Sequence, residues 1–83
     1  MWSEKVKLLV THRDTLIFAG QGQRAVVLSN PGDVAVRLHA GTLHIDIGPK
    51  LVGALTAPQD IFVRVADGDA RIICDVQFAV SGT

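Results

Sequence analysis

Apolar and polar positions alternate with a period of two along much of this chain, and no window carries a sustained helical stripe. That pattern predicts strands half buried against a core. The first runs from Lys5 to Val10, with Val6, Leu8 and Val10 on one face and Lys5 and Lys7 on the other. A short apolar run, Thr15 to Ala19, gives a second. After Gly20-Gln21-Gly22 a third spans Gln23 to Ser29, where Ala25-Val26-Val27-Leu28 is apolar on both faces. Asn30-Pro31-Gly32-Asp33 then signals a turn. A type II geometry fits it, because proline presets φ at one central position and glycine tolerates positive φ at the next.

In the fourth strand Val34, Val36 and Leu38 point inward and Ala35, Arg37 and His39 outward; in the fifth, Leu43, Ile45 and Ile47 point inward. Gly41-Thr42 between them suits a two-residue type II′ hairpin, which wants glycine first. That register sets His39 opposite His44 and Arg37 opposite Asp46, the latter a favourable cross-strand ion pair. A loop shifted to Ala40-Gly41 would keep the same faces. Beyond Gly48-Pro49-Lys50, Leu51 to Leu55 reads as an edge strand and Ala57-Pro58-Gln59-Asp60 as a loop. Ile61 to Val65 is a strand, Ala66-Asp67-Gly68-Asp69 a tight turn, and Ala70 to Val80 the longest strand, with Ile72, Cys74, Val76 and Phe78 inward. About eight short strands separated by turn signals predict an all-β fold, a small antiparallel β-sandwich or jelly-roll-like barrel. It occupies a single domain over residues 1–83.

Composition narrows the function. With 83 residues the chain buries a modest fraction of its unfolded surface. Extra stability in so small a domain comes from disulfides, a metal or a partner subunit. Cys74 is the only cysteine, which excludes an internal disulfide and a cysteine-rich zinc site. Self-association is the remaining economical source. The formal net charge is zero and neither sign forms a run, which argues against nucleic acid as a partner. No apolar stretch approaches the ~20 residues of a spanning helix, so no membrane role is expected. Met1-Trp2-Ser3-Glu4-Lys5 lacks the basic segment and apolar core of a signal peptide, and synthesis in a cytoplasm is expected.

Chemical motifs are few. His12-Arg13-Asp14 copies the catalytic-loop tripeptide of protein kinases without the rest of that set, and reads better as a polar inter-strand turn. Gly20-Gln21-Gly22 leads into a strand rather than a helix, so it is a flexible turn and not a phosphate loop. His39, His44 and Asp46 share one outward hairpin face and are the candidate ligands for zinc or another transition metal. They are too few without a second copy, and a solvated face is preferred, with no cofactor and no bound metal expected. Cys74 reads as a buried core thiol. Ser3, Ser29 and Ser81 lie in no nucleophile context, and Asp67 and Asp69 shape a turn around Gly68 more readily than they bind calcium. No enzyme is expected.

The informative feature is an apolar excess. Leu9, Val27, Phe62 and Ile73 fall on the face opposite the better-patterned one in their strands, where one buried sheet face does not require them. They are the candidate interface residues, since large exposed apolar patches mark partner sites. The competing reading covers them with loops or with the segment around Trp2.

Two segments carry a resemblance. Arg24-Ala25-Val26-Val27-Leu28-Ser29-Asn30-Pro31-Gly32-Asp33-Val34-Ala35-Val36-Arg37-Leu38 is an apolar strand entering an Asn-x-Gly turn and then an alternating strand. Ile61-Phe62-Val63-Arg64-Val65-Ala66 runs on into Asp67-Gly68-Asp69-Ala70-Arg71-Ile72-Ile73. Together, across most of residues 24–80, they resemble small β-sandwich virion proteins of tailed bacteriophages, although bacterial immunoglobulin-like modules also use an Asn-x-Gly turn. A chain starting at its own methionine fits a standalone virion part. The resemblance implies a decoration, cement or minor structural component, made in the host cytoplasm and located in the virion. It would associate with itself, as a trimer by preference because capsid lattices offer three-fold sites, and dock on a larger assembly such as the major capsid protein. No functional residue carries over. The alternatives are a carbohydrate- or host-surface-binding module, for which one Trp, three Phe and no Tyr are few platforms, and a small metal-binding protein or enzyme subunit centred on His39, His44 and Asp46.

Overall fold

The computed structural model describes residues 2–18 and 24–80. Its strands are β1 (Trp2–Val10), β2 (Thr15–Phe18), β3 (Arg24–Ser29), β4 (Val36–Ala40), β5 (Leu43–Ile47), β6 (Val52–Ala57), β7 (Ile61–Val65) and β8 (Ile72–Val80). Each strand of the first half pairs antiparallel with one of the second half in reverse order: β1 with β8, β2 with β7, β3 with β6 and β4 with β5. That is one long hairpin. Rolling it up adds the β3–β8 and β4–β7 pairs and yields two four-stranded sheets, β1-β8-β3-β6 and β2-β7-β4-β5. The all-β sandwich read from the sequence is therefore a jelly roll.

Alternation decides what is buried in the central strands, but Leu43 at the start of the edge strand β5 and Val6 on the edge strand β1, both read as inward from the sequence, are exposed. Val36, Leu38 and Ala40 in β4 and Ile61, Val63 and Val65 in β7 are buried, while Arg37, His39, Phe62 and Arg64 between them are only partly covered. Val10, Val26, Leu28, Ile72, Cys74 and Val76 face them from the other sheet. Fully burying such an aliphatic side chain contributes about 1.5–3 kcal/mol relative to leaving it exposed. Asn30 is the one buried polar residue among those described. Burial pushes the Cys74 thiol up to about 11, with the neighbouring Asp75 charge adding to the effect. Thiol labelling of the folded protein should therefore be slow and become fast in denaturant; rapid labelling of the native chain would show that Cys74 reaches solvent.

Several boundaries differ from the sequence reading. β1 begins at Trp2, because pairing extends along β8 to Ala79 past a register shift between Trp2 and Glu4. β1 thus equals β8 in length, and β8 begins at Ile72 rather than Ala70. β4 begins at Val36, since Val34 lies in the preceding loop, half-buried against the core. β6 runs on to Ala57, which is buried opposite Arg24, and it is an edge strand as expected. Ala19 to Gln23, including Gly20-Gln21-Gly22, and Ser81 lie outside the described residues. The segment 66–71 crosses from one sheet to the other rather than closing a hairpin.

The turns are also redistributed. Gly41 has φ +60 and Thr42 does not share it, as a type II′ hairpin requires, and the His39–His44 and Arg37–Asp46 pairs form. Gly32, by contrast, has no positive φ, so the type II turn expected at Pro31-Gly32 is absent. Asn30 Oδ1 instead accepts from the Gly32 N–H at 3.0 Å, an Asx turn. Glycine is needed there for space, since a Cβ would sit 2.8–3.0 Å from three atoms of Ile72. Positive φ occurs at Lys50 (63°), after Pro49, where the Leu51 N–H closes on the Gly48 carbonyl at 3.2 Å.

Candidate interaction surface

Both sheets turn one face outward, and the candidate residues divide between them. On the first sheet Leu9 of β1 stands directly opposite Ile73 of β8. They are 50% and 59% exposed, the values of a surface pair rather than a covered one. Val27 lies on the same outer face, half-buried, between Gln77 of β8 and Ala54 of β6. Phe62 is on the other sheet, opposite Leu16 and stacked on the His39 ring with centroids 5.6 Å apart. The four therefore do not form one patch. Leu9 and Ile73 are brought together, and Trp2, which falls in β1 opposite Ala79, sits far along the strand from them.

Leu9 and Ile73 lie where β1 ends and β8 begins, at the end of the sandwich that also carries the β3–β4 and β5–β6 loops. This end is cross-braced. Asn30 Nδ2 donates to the carbonyls of Val34 (2.8 Å), Ile47 (3.0 Å) and Gly48 (3.1 Å), and Asn30 N donates to Leu51 O (2.9 Å). Lys50 Nζ donates to Pro31 O at 2.6 Å and lies 3.4 Å from Asp33 Oδ1. The loops are held to one another by a buried amide and an exposed ammonium. Two clefts open on it. One, of about 350 Å³, is lined by Pro31, Val34, Ala70, Arg71 and Ile73 among others. The other, of about 330 Å³, is lined by Thr11, His12, Arg13, Asp69 and Arg71. Arg71 is common to both.

The β6 edge is the second notable surface. Val52, Gly53, Ala54, Leu55, Thr56 and Ala57 include no charge and no proline, whereas the opposite edge, β1, carries Lys5 and Lys7. Charged residues guard an edge against pairing; an uncharged edge is open to it. The Leu51 carbonyl accepts from Asn30 N and so faces β3. By alternation the N–H and C=O groups of Val52, Ala54 and Thr56 turn to the open side. Val52 is 64% exposed.

The outer face of the other sheet is polar. A cleft of about 300 Å³ there is lined by Asp14, Arg37, His39, Gly41, His44 and Arg64. Arg37, His39, Asp14 and Arg64 are each engaged in an ion pair or hydrogen bond. Arg37 grips both oxygens of Asp46, at 2.7 and 3.1 Å, and this hydrogen bonding holds the Asp46 carboxyl below its ordinary value. His39 Nε2 donates to Asp14 Oδ1 at 2.8 Å, with Arg64 Nε 3.7 Å from the same oxygen. The expected His39, His44 and Asp46 do share this face, but Asp46 is occupied by Arg37 and His39 is turned to Asp14. Among the described residues no three metal-ligating side chains gather. An imidazole oriented by a carboxylate is half of a nucleophilic triad, yet no hydroxyl or thiol lines this cleft. In the sequence Asp14 reads only as part of a polar turn; its role depends on β2 and β4 lying in one sheet.

Among the described residues no helix is long and apolar enough to cross a membrane. The chain matches no protein-family model, no curated protein and no solved structure.

Proposed function

We propose that this chain is a non-enzymatic structural component of a tailed-phage virion, made in the host cytoplasm, that decorates or cements the capsid or joins another part of the particle. The observation that carries this reading is the exposed Leu9–Ile73 pair beside two clefts on a braced loop end, in a domain whose described core is mostly aliphatic. An exposed apolar pair beside a cleft suits docking. The jelly roll recurs in viral capsid proteins, which supports the reading by analogy of fold alone. Docking on a larger assembly, such as the major capsid protein, is assigned to the loop end. Self-association is assigned to the β6 side, where Leu51 and Val52 are exposed and the edge is uncharged. Three-fold association is preferred because capsid lattices supply three-fold sites.

The test is mass spectrometry of particles purified by gradient from a culture producing the phage that encodes the chain. Its peptides should co-sediment with the capsid protein, and a Leu9→Ser/Ile73→Ser chain should be depleted from the particles. Absence of the native chain from particles would overturn the proposal. Sedimentation across a dilution series tests the second part: a mass above the monomer is expected, reduced by Ala54→Lys, and a monomer at every concentration would remove self-association.

A further inference from the structure

We infer that the loop-end cleft between Arg13 and Arg71 is an oxyanion-binding site, and that it receives an acidic segment of a partner protein whose apolar side chains rest on Leu9 and Ile73. The inference deepens the proposed docking role and rests on it for the nature of the partner. Its basis is an imbalance of charge. Lys7, Arg37, Lys50 and Arg64 each stand within 4.0 Å of a carboxylate, and Lys5, which has no such partner among the described residues, lines none of the three clefts. Arg13 and Arg71, both exposed, have no carboxylate partner among the described residues, yet they line the same cleft, with His12 beside them. Asp69 also lines it and offsets one of the two charges. One guanidinium charge is left uncompensated. A guanidinium presents a planar fork of donors that matches a carboxylate or phosphate, which makes the paired arginines a receptor for an oxyanion.

The apolar pair makes the ligand a protein segment rather than a free ion. Thr11 is two residues beyond Leu9 in the chain and Arg71 two before Ile73, and both line the cationic cleft, so the Leu9–Ile73 pair lies next to it. Arg71 also lines the neighbouring cleft with Pro31, Val34, Ala70 and Ile73. An occupant that neutralises the arginines and covers the apolar pair must carry a carboxylate and hydrophobic side chains close together in sequence. A free phosphate would satisfy only the first.

Nuclear magnetic resonance titration of the isotope-labelled chain decides this. The probes are a capped peptide of paired leucines followed by paired aspartates, the same peptide with asparagines for aspartates, and inorganic phosphate. The aspartate peptide should saturably shift the amide signals of Leu9, Thr11, Arg13, Arg71 and Ile73. The asparagine peptide should bind at least ~10-fold more weakly, as should the aspartate peptide to an Arg13→Gln/Arg71→Gln chain. That variant should keep its dispersed spectrum, because both side chains are exposed. Equal binding of the two peptides, or no loss in the variant, would overturn the oxyanion site. Phosphate binding as tight as the aspartate peptide would overturn the protein partner. No shift with any probe would overturn both. These readouts use the purified chain alone, so they stand or fall separately from its presence in particles.

Discussion

Asn30→Ala is expected to lower stability by about 2–4 kcal/mol, read as a fall in the denaturant midpoint with an unchanged slope. Asn30 is 1% exposed. Its amide shares two protons among the carbonyls of Val34, Ile47 and Gly48, and its carbonyl takes the Gly32 N–H. Alanine strands all of these at once, and a buried polar group left unpaired costs roughly 1–3 kcal/mol. The bonds to Val34 O and Gly48 O are part-buried, so water can replace them in the variant and the buried Ile47 carbonyl dominates the loss. For 83 residues the whole stability is about 4–12 kcal/mol, and the change removes a large share of it. Asn30→Asp separates the donor role from shape. A carboxylate there would face three carbonyl oxygens with one N–H to accept from, so its folded pKa lies above the unfolded value. Its stability is then greatest below the unfolded pKa and is lost as pH rises through the folded one. Melting of Asn30→Asp should rise on acidification relative to Asn30→Ala. A variant as stable as the native chain at neutral pH would show that the two loops hold together without this amide.

Local rules make part of this molecule legible in its chain. Period-two alternation locates the strands, and the two-residue loop Gly41-Thr42 favours the β4–β5 register that forms, with the His39–His44 and Arg37–Asp46 pairs, although a loop at Ala40-Gly41 would keep the same faces. Pairings between distant parts of the chain do not. Leu9 and Ile73 are each recognisable as apolar on the wrong face, but only the β1–β8 register sets them side by side. Asp14 and His39 are 25 residues apart and meet because β2 and β4 share a sheet. The turns mislead for a physical reason. Pro31-Gly32 has the composition of a type II turn, yet the Asn30 side chain closes that loop by itself, and Gly32 is there to clear Ile72. The positive φ falls to Lys50, a residue that composition does not favour for it, whose ammonium braces Pro31 from the other loop. Arg13 and Arg71 give no local signal, because an unpaired charge is defined by what is missing around it.

Gly53→Ala is expected to destabilise by about 1–2 kcal/mol, and the loss should be coupled to Ile47. β5 and β6 belong to different sheets and lie against each other along one side of the sandwich. Ile47 closes that side by occupying the space where a Gly53 side chain would stand. A Cβ on Gly53 would lie 2.5 Å from Ile47 Cγ1, 2.9 Å from its Cδ1 and 3.4 Å from Ile45 Cδ1. Replacing glycine also restricts the unfolded chain, a gain of roughly 0.4–1 kcal/mol, which is smaller than the overpacking cost of about 1–3 kcal/mol. The Ile47 backbone cannot simply retreat, because its carbonyl is bound to Asn30. Ile47→Ala alone removes a side chain that is 3% exposed and should cost about 2–5 kcal/mol. In the Ile47→Ala background the Cγ1 contact is gone, so adding Gly53→Ala should cost little or stabilise slightly. Chemical denaturation of the two single variants and the double variant gives the coupling directly, with roughly 1 kcal/mol or more expected. Additive losses would mean that the Ile47 side chain turns aside freely, and that the side of the jelly roll is closed by something other than this contact.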